Sequence, residues 1–422
     1  MANFAIDLAP LKKSKDFSLL WAAGLISYFG SMITYVAVPF QIKELTGSYV
    51  AVAISGLVEI LPLIIFGLYG GVLADALDRK KLIWVTELLS LLFTAILLIN
   101  SMMDSPSLLL IYIVSGLFAA TSGLRQPAMQ AALPRLVDHE DMTAAAALMS
   151  LRWQMGMIAG PALAGVMISL FGVSAGFILD IATYFLSLII LIRVKSVPPI
   201  EISENPSFSS LVAGVKYATS RKDLMGTYLV DLSAMFFAMP TALYPFWAEQ
   251  AGAPWALGFF YAAGTIGSIL VTLTSGWVKS YTKHGRAIFL AALGWGVAIT
   301  IAGLVDHVAL ILLFLILAGA SDMVSALFRS VLWNQSIPDE FRGRLAGVEL
   351  ISYSVGPLGG QTRAGFTAER TSLRTSVVSG GLLCIGFVLF FTALLPDFRK
   401  YDSKSNKFAV SEAKKRKTAP NN

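Results

Sequence analysis

Nine charged side chains stand inside stretches of otherwise apolar sequence, where an ionised group is costly. They are Glu59, Glu87, Arg152, Asp180, Asp231, Asp322, Arg329, Glu349 and Arg363. A carboxyl group in a dry cavity can exchange protons near neutral pH or contact a charged ligand. Because a central charge costs about 2.5–3.5 kcal/mol on membrane-insertion scales, such residues are functional candidates.

Asp322, Asp231 and Glu59 are the leading carboxyl candidates. Asp322 and Arg329 are seven residues apart, so they share one face of a helix. Two interpretations of Asp322 and Asp231 stay open: proton or substrate contact, or a permanent buried ion pair. Glu87 lies near a span end, where structural pairing is the expected role.

The stretch "GGVLADALDRKK", Gly70 to Lys81, sets an ordered group of charges after a long apolar run. Anions are favoured at helix N-termini, so Asp75 could cap the helix that begins near Gly343 and act as a cytoplasmic latch. The alternative is that the basic residues Arg79, Lys80 and Lys81 only set the membrane topology.

Two Gly-Pro clusters lie in apolar runs. The first is Gly156, Gly160, Pro161 and Gly165, and the second contains Gly356 and Pro357. Small residues let transmembrane helices approach closely, and proline removes a backbone hydrogen bond. The paired placement favours close packing with a hinge over ordinary membrane-helix glycine.

The stretch "MFFAMPTALYPFW", Met235 to Trp247, combines aromatic residues with two prolines. It predicts a bent helix on which Phe236, Phe237 and Tyr244 present stacking surface to a bulky ligand. Lipid-facing aromatic residues and an interfacial belt are the alternative.

These residues are carried by membrane-spanning helices. The 422-residue chain is 56% hydrophobic and 14% charged, far from the about 25% charged of a soluble domain. Apolar runs near the about 20 residues that cross a bilayer recur along its whole length. The predicted spans are 17–42, 47–74, 82–102, 107–128, 142–171, 174–194, 223–250, 254–280, 286–304, 308–334, 343–368 and 374–396.

Basic residues predict the orientation. With both termini in the cytoplasm, 26 of the 32 Lys and Arg residues lie on that side and four on the other, as the positive-inside rule requires. The predicted organisation is a cytoplasmic tail (1–16), a six-helix bundle (17–194), a linker (195–222), a second bundle (223–396) and a basic tail (397–422). The basic tail is predicted to be disordered.

The opening stretch resembles the loop between helices 2 and 3 of the major facilitator superfamily, matched at Gly71, Asp75, Arg79, Lys80 and Lys81. Ala76 stands where an arginine is usual, so Arg125 is the preferred substitute partner for Asp75. Asp78 replaces a usual glycine, and an acidic residue there resembles bacterial enterobactin-exporter and macrolide-efflux proteins.

Two further stretches carry the resemblance. The passage "LRQPAMQAALPRLVDHEDMTAAAALMSLR" is similar to that group's passage from helix 4 into helix 5, and "GMIAGPALAG" looks like the superfamily's antiporter motif. The resemblance implies an all-α integral membrane fold, with twelve transmembrane helices in two six-helix pseudo-repeats. It also implies that Asp231 and Asp322 face the transport cavity and that helix 6, which contains Asp180, is peripheral.

The resulting expectation is an antiporter of the bacterial inner membrane that exports a siderophore or an amphipathic drug-like compound by alternating access. A proton gradient supplies the energy, and we expect no cofactor, metal, nucleic acid or second subunit. Multidrug or macrolide efflux without siderophore export stays open, as do uptake and a non-transporting receptor or scaffold. We expect the chain not to be an enzyme, because it lacks a phosphate-binding glycine loop followed by Lys and Ser or Thr and has only three histidines.

Overall fold

The computed structural model describes residues 7–198 and 216–418, and regular structure within these ranges is helical. The first part contains α1 (Ala9–Lys13), α2 (Lys15–Thr46), α3 (Tyr49–Ala76), α4 (Arg79–Ser101), α5 (Leu108–Leu136), α6 (Met142–Phe171) and α7 (Val173–Ile192). The second contains α8 (Lys222–Phe237), α9 (Tyr244–Gln250), α10 (Leu257–Leu273), α11 (His284–Leu304), α12 (Val308–Ser336), α13 (Asp339–Arg370), α14 (Leu373–Leu394), α15 (Pro396–Arg399) and α16 (Lys407–Thr418).

Serine side chains mark the starts of four long helices. Ser14, Ser48, Ser107 and Ser372 each accept a hydrogen bond from the backbone N–H three residues later. Such a cap satisfies one N–H that the helix leaves unpaired and is worth about 1 kcal/mol. The serines between apolar runs therefore fix where these helices begin.

Eleven helical segments of the described ranges are long and apolar enough to cross a membrane. They correspond to eleven of the twelve predicted spans. The remaining span, 343–368, lies in α13, which has 32 residues but a far more polar composition. The protein is an all-helical, multi-pass membrane protein, and α6 begins and ends where span 142–171 was predicted.

The predicted span 223–250 is not one continuous helix. Helix α8 ends at Phe237, and a 3-10 turn at Thr241–Leu243 leads into α9. Pro240 separates the two, and proline both lacks an N–H and disfavours helical geometry in the residue before it.

The described residues form two compact units. The first contains α1 to α7 together with Tyr244–Ala262, and the second contains α8, the rest of α10 and α11 to α16. The core of the first unit includes Leu20, Ile83, Ala128 and Leu191, from α2, α4, α5 and α7. The predicted linker enters this description only in part, since 199–215 lie outside the described residues.

The basic tail is not disordered as far as Thr418, contrary to prediction. Helix α16 buries Ala409 and Glu412, and the ring of Phe408 lies 3.5 Å from the guanidinium carbon of Arg221. Arg221 also makes a bidentate ion pair with Asp223, with N–O distances of 2.9 and 2.7 Å. The polar composition of the tail predicted a solvated segment. Instead, Phe408 packs on the buried Arg221 and anchors α16.

Candidate functional site

A buried charged group lies in the first unit. Arg125 of α5 forms an ion pair with Glu87 of α4 at 2.9 Å, and Ser27 of α2 donates a hydrogen bond to the same carboxylate oxygen at 2.8 Å. The Glu87 side chain is only 2% exposed. The structural pairing expected of Glu87 is present, and its partner is Arg125.

Arg152 of α6 adds a second cation to this group. Its Nε and Nη1 atoms are buried and have no hydrogen-bond acceptor among the described residues. The guanidinium lies against α2 at Gly24, where an added Cβ would stand 2.1 Å from Nη1. The absence of a side chain at Gly24 therefore makes the room that Arg152 occupies.

These three charged residues line a cavity of about 430 Å³ whose walls belong entirely to the first unit. Two amides, Gln126 and Gln130, and two aromatic side chains, Tyr28 and Trp153, are also part of its wall. Ligand pockets commonly have volumes of about 300–1,000 Å³ and combine apolar walls with a few polar groups. The cavity can therefore hold a small organic molecule.

Asp180 of α7 is fully buried in the same unit. Thr34 and Thr94 donate hydrogen bonds to one of its oxygens, at 2.5 and 3.2 Å. Two hydroxyl donors from different helices reduce the cost of burying a carboxyl group. Asp180 is thus an internal junction of α2, α4 and α7, although the resemblance placed its helix at the periphery.

The second unit contains a separate charged group. Asp231 of α8 forms an ion pair with Arg329 of α12, and their side chains are 6% and 3% exposed. Asp322 lies 4.0 Å from Arg329 Nη2 and is 37% exposed. Ser352 of α13 donates a hydrogen bond to Asp231 at 3.3 Å. The structure thus brings Asp231, Asp322 and Arg329 together, while Glu59 lies apart in α3 of the first unit.

The glycines of the first Gly-Pro cluster, in α6, lie against α2 and the start of α10 within the first unit. A Cβ on Gly156 would stand 2.3 Å from the Tyr28 ring, and one on Gly160 would stand 2.8 Å from the Phe29 carbonyl oxygen. Gly165 approaches the backbone of Gly258 in the same way. These contacts show close packing. Pro161 lies within an uninterrupted α6, so the hinge stays a prediction.

The second Gly-Pro cluster packs within the second unit. A Cβ on Gly356 would stand 3.0 Å from Met235 Cβ, and one on Gly360 would stand 2.2 Å from the Met235 carbonyl oxygen. Pro357 lies inside α13. The cluster therefore lies beside the end of α8. This helix ends at Phe237, three residues before Pro240.

The predicted cavity aromatics divide between the two units. Phe237 stacks on Phe387 at 4.5 Å and meets Phe236 edge-to-face at 5.2 Å. Tyr244 is 6% exposed and packs against Phe260 and Tyr261. In this arrangement Tyr244 belongs to an aromatic core rather than to an open surface.

Asp78 and the predicted latch residue Arg79 contact the start of the linker. Asp78 caps α4 by accepting from Lys81 N–H, and it also accepts hydrogen bonds from the Ser196 hydroxyl and Val197 N–H. Burial raises the pKa of Asp78, but these donors outweigh it, so the pKa lies below its usual range. Arg79 is 4% exposed and donates to the Pro198 carbonyl at 2.7 Å.

The cross-bundle part of the latch stays a prediction. The side chain of Asp75 and the surroundings of Gly343 lie outside what the structure describes, and Gly71 lies in α3. Arg125 is engaged with Glu87, which gives this arginine a role in the cavity wall.

Sequence reasoning missed Gly24, Gln126 and Gln130 as site residues. The two amides are four positions apart on α5 and share a face, which was the available signal. Gly24 gave no comparable signal because its importance depends on a side chain 128 positions away.

Comparison with known proteins identifies relatives of this chain. The family model described as transmembrane secretion effector matches residues 5–418. The enterobactin exporter EntS of Escherichia coli O1:K1 is 28% identical over 417 residues, which cover 97% of this chain and 99% of that protein. The Shigella boydii serotype 18 protein of the same name has the same identity and coverage.

Solved structures share the fold at low sequence identity. The nucleoside transporter NupG superimposes with a TM-score of 0.71 at 12% identity, covering 91% of this chain and 98% of that one. A POT family transporter in complex with 5-aminolevulinic acid gives a TM-score of 0.74 at 13% identity, covering 91% and 97%.

Proposed function

Because the chain belongs to the transmembrane secretion effector family and is a membrane transporter of the major facilitator type, we propose that it exports a small amphipathic compound. The substrate is a siderophore or a drug-like molecule, moved out of a bacterial cytoplasm by alternating access in exchange for protons. The protein acts as a monomer in the inner membrane, with both termini in the cytoplasm.

The observation that carries the export proposal is the 430 Å³ cavity of the first unit, with Glu87, Arg125 and Arg152 in its wall. A cavity that combines buried charges with amides and aromatic rings suits an amphipathic molecule. The end-to-end similarity to proteins named enterobactin exporters supports a siderophore as the first substrate to test.

The Asp322, Asp231 and Arg329 group supports proton coupling. Asp231 and Arg329 neutralise each other, and the more exposed Asp322 lies 4.0 Å from the same guanidinium. Protonation of either carboxyl leaves the positive charge of Arg329 less compensated. The conformational equilibrium then shifts towards the state in which that charge is better solvated. Asp322 is the better candidate for proton exchange because its side chain is the more exposed of the two carboxyls.

Everted membrane vesicles provide the test. We expect wild-type vesicles to accumulate enterobactin when a proton gradient is present and to lose this accumulation when the gradient is collapsed. Asp322→Asn is expected to abolish the gradient dependence while the protein stays folded. Accumulation that does not require the gradient in wild type would refute proton exchange, and accumulation of a macrolide alone would replace the siderophore with a drug substrate.

A further inference from the structure

The cavity of the first unit has an excess positive charge. Glu87 is paired with Arg125 at 2.9 Å, so the two charges compensate each other. Arg152 lines the same cavity, and no acidic side chain of the described residues lies within ion-pair distance of it. Its Nε and Nη1 are buried without an acceptor in that part of the chain.

The Arg152 guanidinium lies against α2 beside Gly24. Gly24 leaves the space in α2 that the guanidinium occupies, and Gly156, one turn along α6, lets the Tyr28 ring approach closely. The planar fork of an arginine can bind a planar anion through two parallel hydrogen bonds. A buried charge without a protein partner is otherwise destabilising, which makes an external anion its natural counter-ion.

The other residues of the cavity wall indicate the chemistry of the rest of such a ligand. Trp153 and Tyr28 supply flat apolar surface, and Gln126 and Gln130 supply neutral hydrogen-bonding groups. The second oxygen of Glu87, Oε2, is buried without a donor among the described residues, so it can accept from a ligand hydroxyl.

From this arrangement we propose that the exported compound is an organic acid, whose carboxylate or ionised phenol binds the guanidinium of Arg152 beside its flat apolar body. This inference rests on the proposed export function and specifies its substrate class. A cationic drug is disfavoured in the same cavity, because it adds positive charge beside Arg152.

Matched ligands test the proposal by equilibrium dialysis against purified protein in lipid nanodiscs. Naphthalene-2-carboxylate and its neutral amide have nearly the same shape and differ in charge. We expect wild type to bind the carboxylate at least tenfold more tightly than the amide. Arg152→Gln is expected to abolish this preference by weakening carboxylate binding, with less than twofold change for the amide.

Two further variants separate charge recognition from folding. Arg152→Lys keeps the charge but loses the planar fork, so we expect a reduced preference for the carboxylate that stays above twofold. Arg363→Gln removes another intramembrane arginine, whose Nε is also buried without a partner in the described ranges, and lies in the second unit. It should leave the carboxylate-to-amide ratio unchanged.

The outcomes are distinguishable from those of the export proposal. Equal binding of the two ligands by wild type, or a full carboxylate preference in Arg152→Gln, would overturn the anion site even if vesicles export enterobactin. A preference that depends on Arg152 supports the anion site, even if the vesicles show no gradient-driven accumulation and export is refuted.

Discussion

Asp231 of α8 and Arg329 of α12 form an ion pair inside the second unit, with side chains 6% and 3% exposed. Removing one partner of a buried pair costs about 3–5 kcal/mol, because the other charge is left without compensation. We expect Asp231→Asn to fall near the lower end, since Asp322 lies 4.0 Å from the same guanidinium. Thermal unfolding of detergent-purified protein measures the loss.

The double variant Asp231→Asn/Arg329→Gln is the control for this pair. Without a lone buried charge, it should be more stable than Asp231→Asn alone. Asp322→Asn should change stability much less, because Asp322 is 37% exposed. If the double variant loses as much stability as Asp231→Asn and Arg329→Gln lose together, the pair contributes no coupling energy.

The contact between Gly165 and Gly258 predicts a sharp packing effect. A Cβ on Gly258 would stand 2.0 Å from the Pro161 carbonyl oxygen, which is backbone and cannot rotate away. We expect Gly258→Ala to destabilise the protein by about 1–3 kcal/mol through overpacking.

Gly264→Ala is the matched control for Gly258→Ala. It lies in the same helix, α10, and a Cβ there meets no atom within 4 Å. Its effect should stay within about 0.5 kcal/mol. Equal unfolding temperatures of the two variants would contradict the close approach of α6 and α10.

Gly24→Ala is expected to move Arg152 without unfolding the protein. The atom in conflict, Nη1, is the far end of a flexible side chain, so the guanidinium can swing aside. We expect export to fall at least tenfold while the unfolding temperature changes little. Gly116→Ala in α5 is the control, because its nearest contacts are at 3.5 Å, and its export should match wild type.

The hydrogen bonds to Asp78 predict a pH-dependent contribution to stability. The pKa of Asp78 is lower in the folded protein than the about 3.9 of an unfolded chain. The carboxylate therefore stabilises the fold above about pH 4, and this contribution disappears as the pH falls through the lowered pKa.

Asp78→Asn tests this contribution, because it keeps an acceptor at the helix start and removes the charge. We expect wild type to be more stable by about 1 kcal/mol at pH 7, with the difference shrinking as the pH falls below about 4. Asp104→Asn, at an exposed loop position, should show no such dependence. A wild-type advantage of equal size at pH 7 and pH 3 would refute the role of the charge.

Apolar run length and composition predicted most of the fold. Run lengths predicted the helices well, since membrane thickness acts on contiguous residues. Span 343–368 was also predicted, and α13 covers it, although α13 is more polar than the other spans.

The sites were harder to predict because their contacts join distant positions. Helical spacing placed Asp322 and Arg329 on one face, but Asp231 on another helix is the closer partner of that arginine. Asp78 looked like a departure from a family pattern, whereas it binds the Ser196–Val197 segment. The room that Gly24 leaves for Arg152 depends on how α2 and α6 meet, which no local pattern encodes.

The docking of α16 has a practical consequence for handling this protein. Phe408 lies on Arg221, Asn406 Nδ2 donates to Asp223 at 3.4 Å, and Glu412 is buried. A fluorescent reporter or affinity tag joined at residue 406 in place of α16 would remove these contacts and lower the yield of intact protein. Fusions placed after Thr418 keep these contacts, so the useful attachment point lies 24 residues beyond Leu394, where the last apolar helix ends.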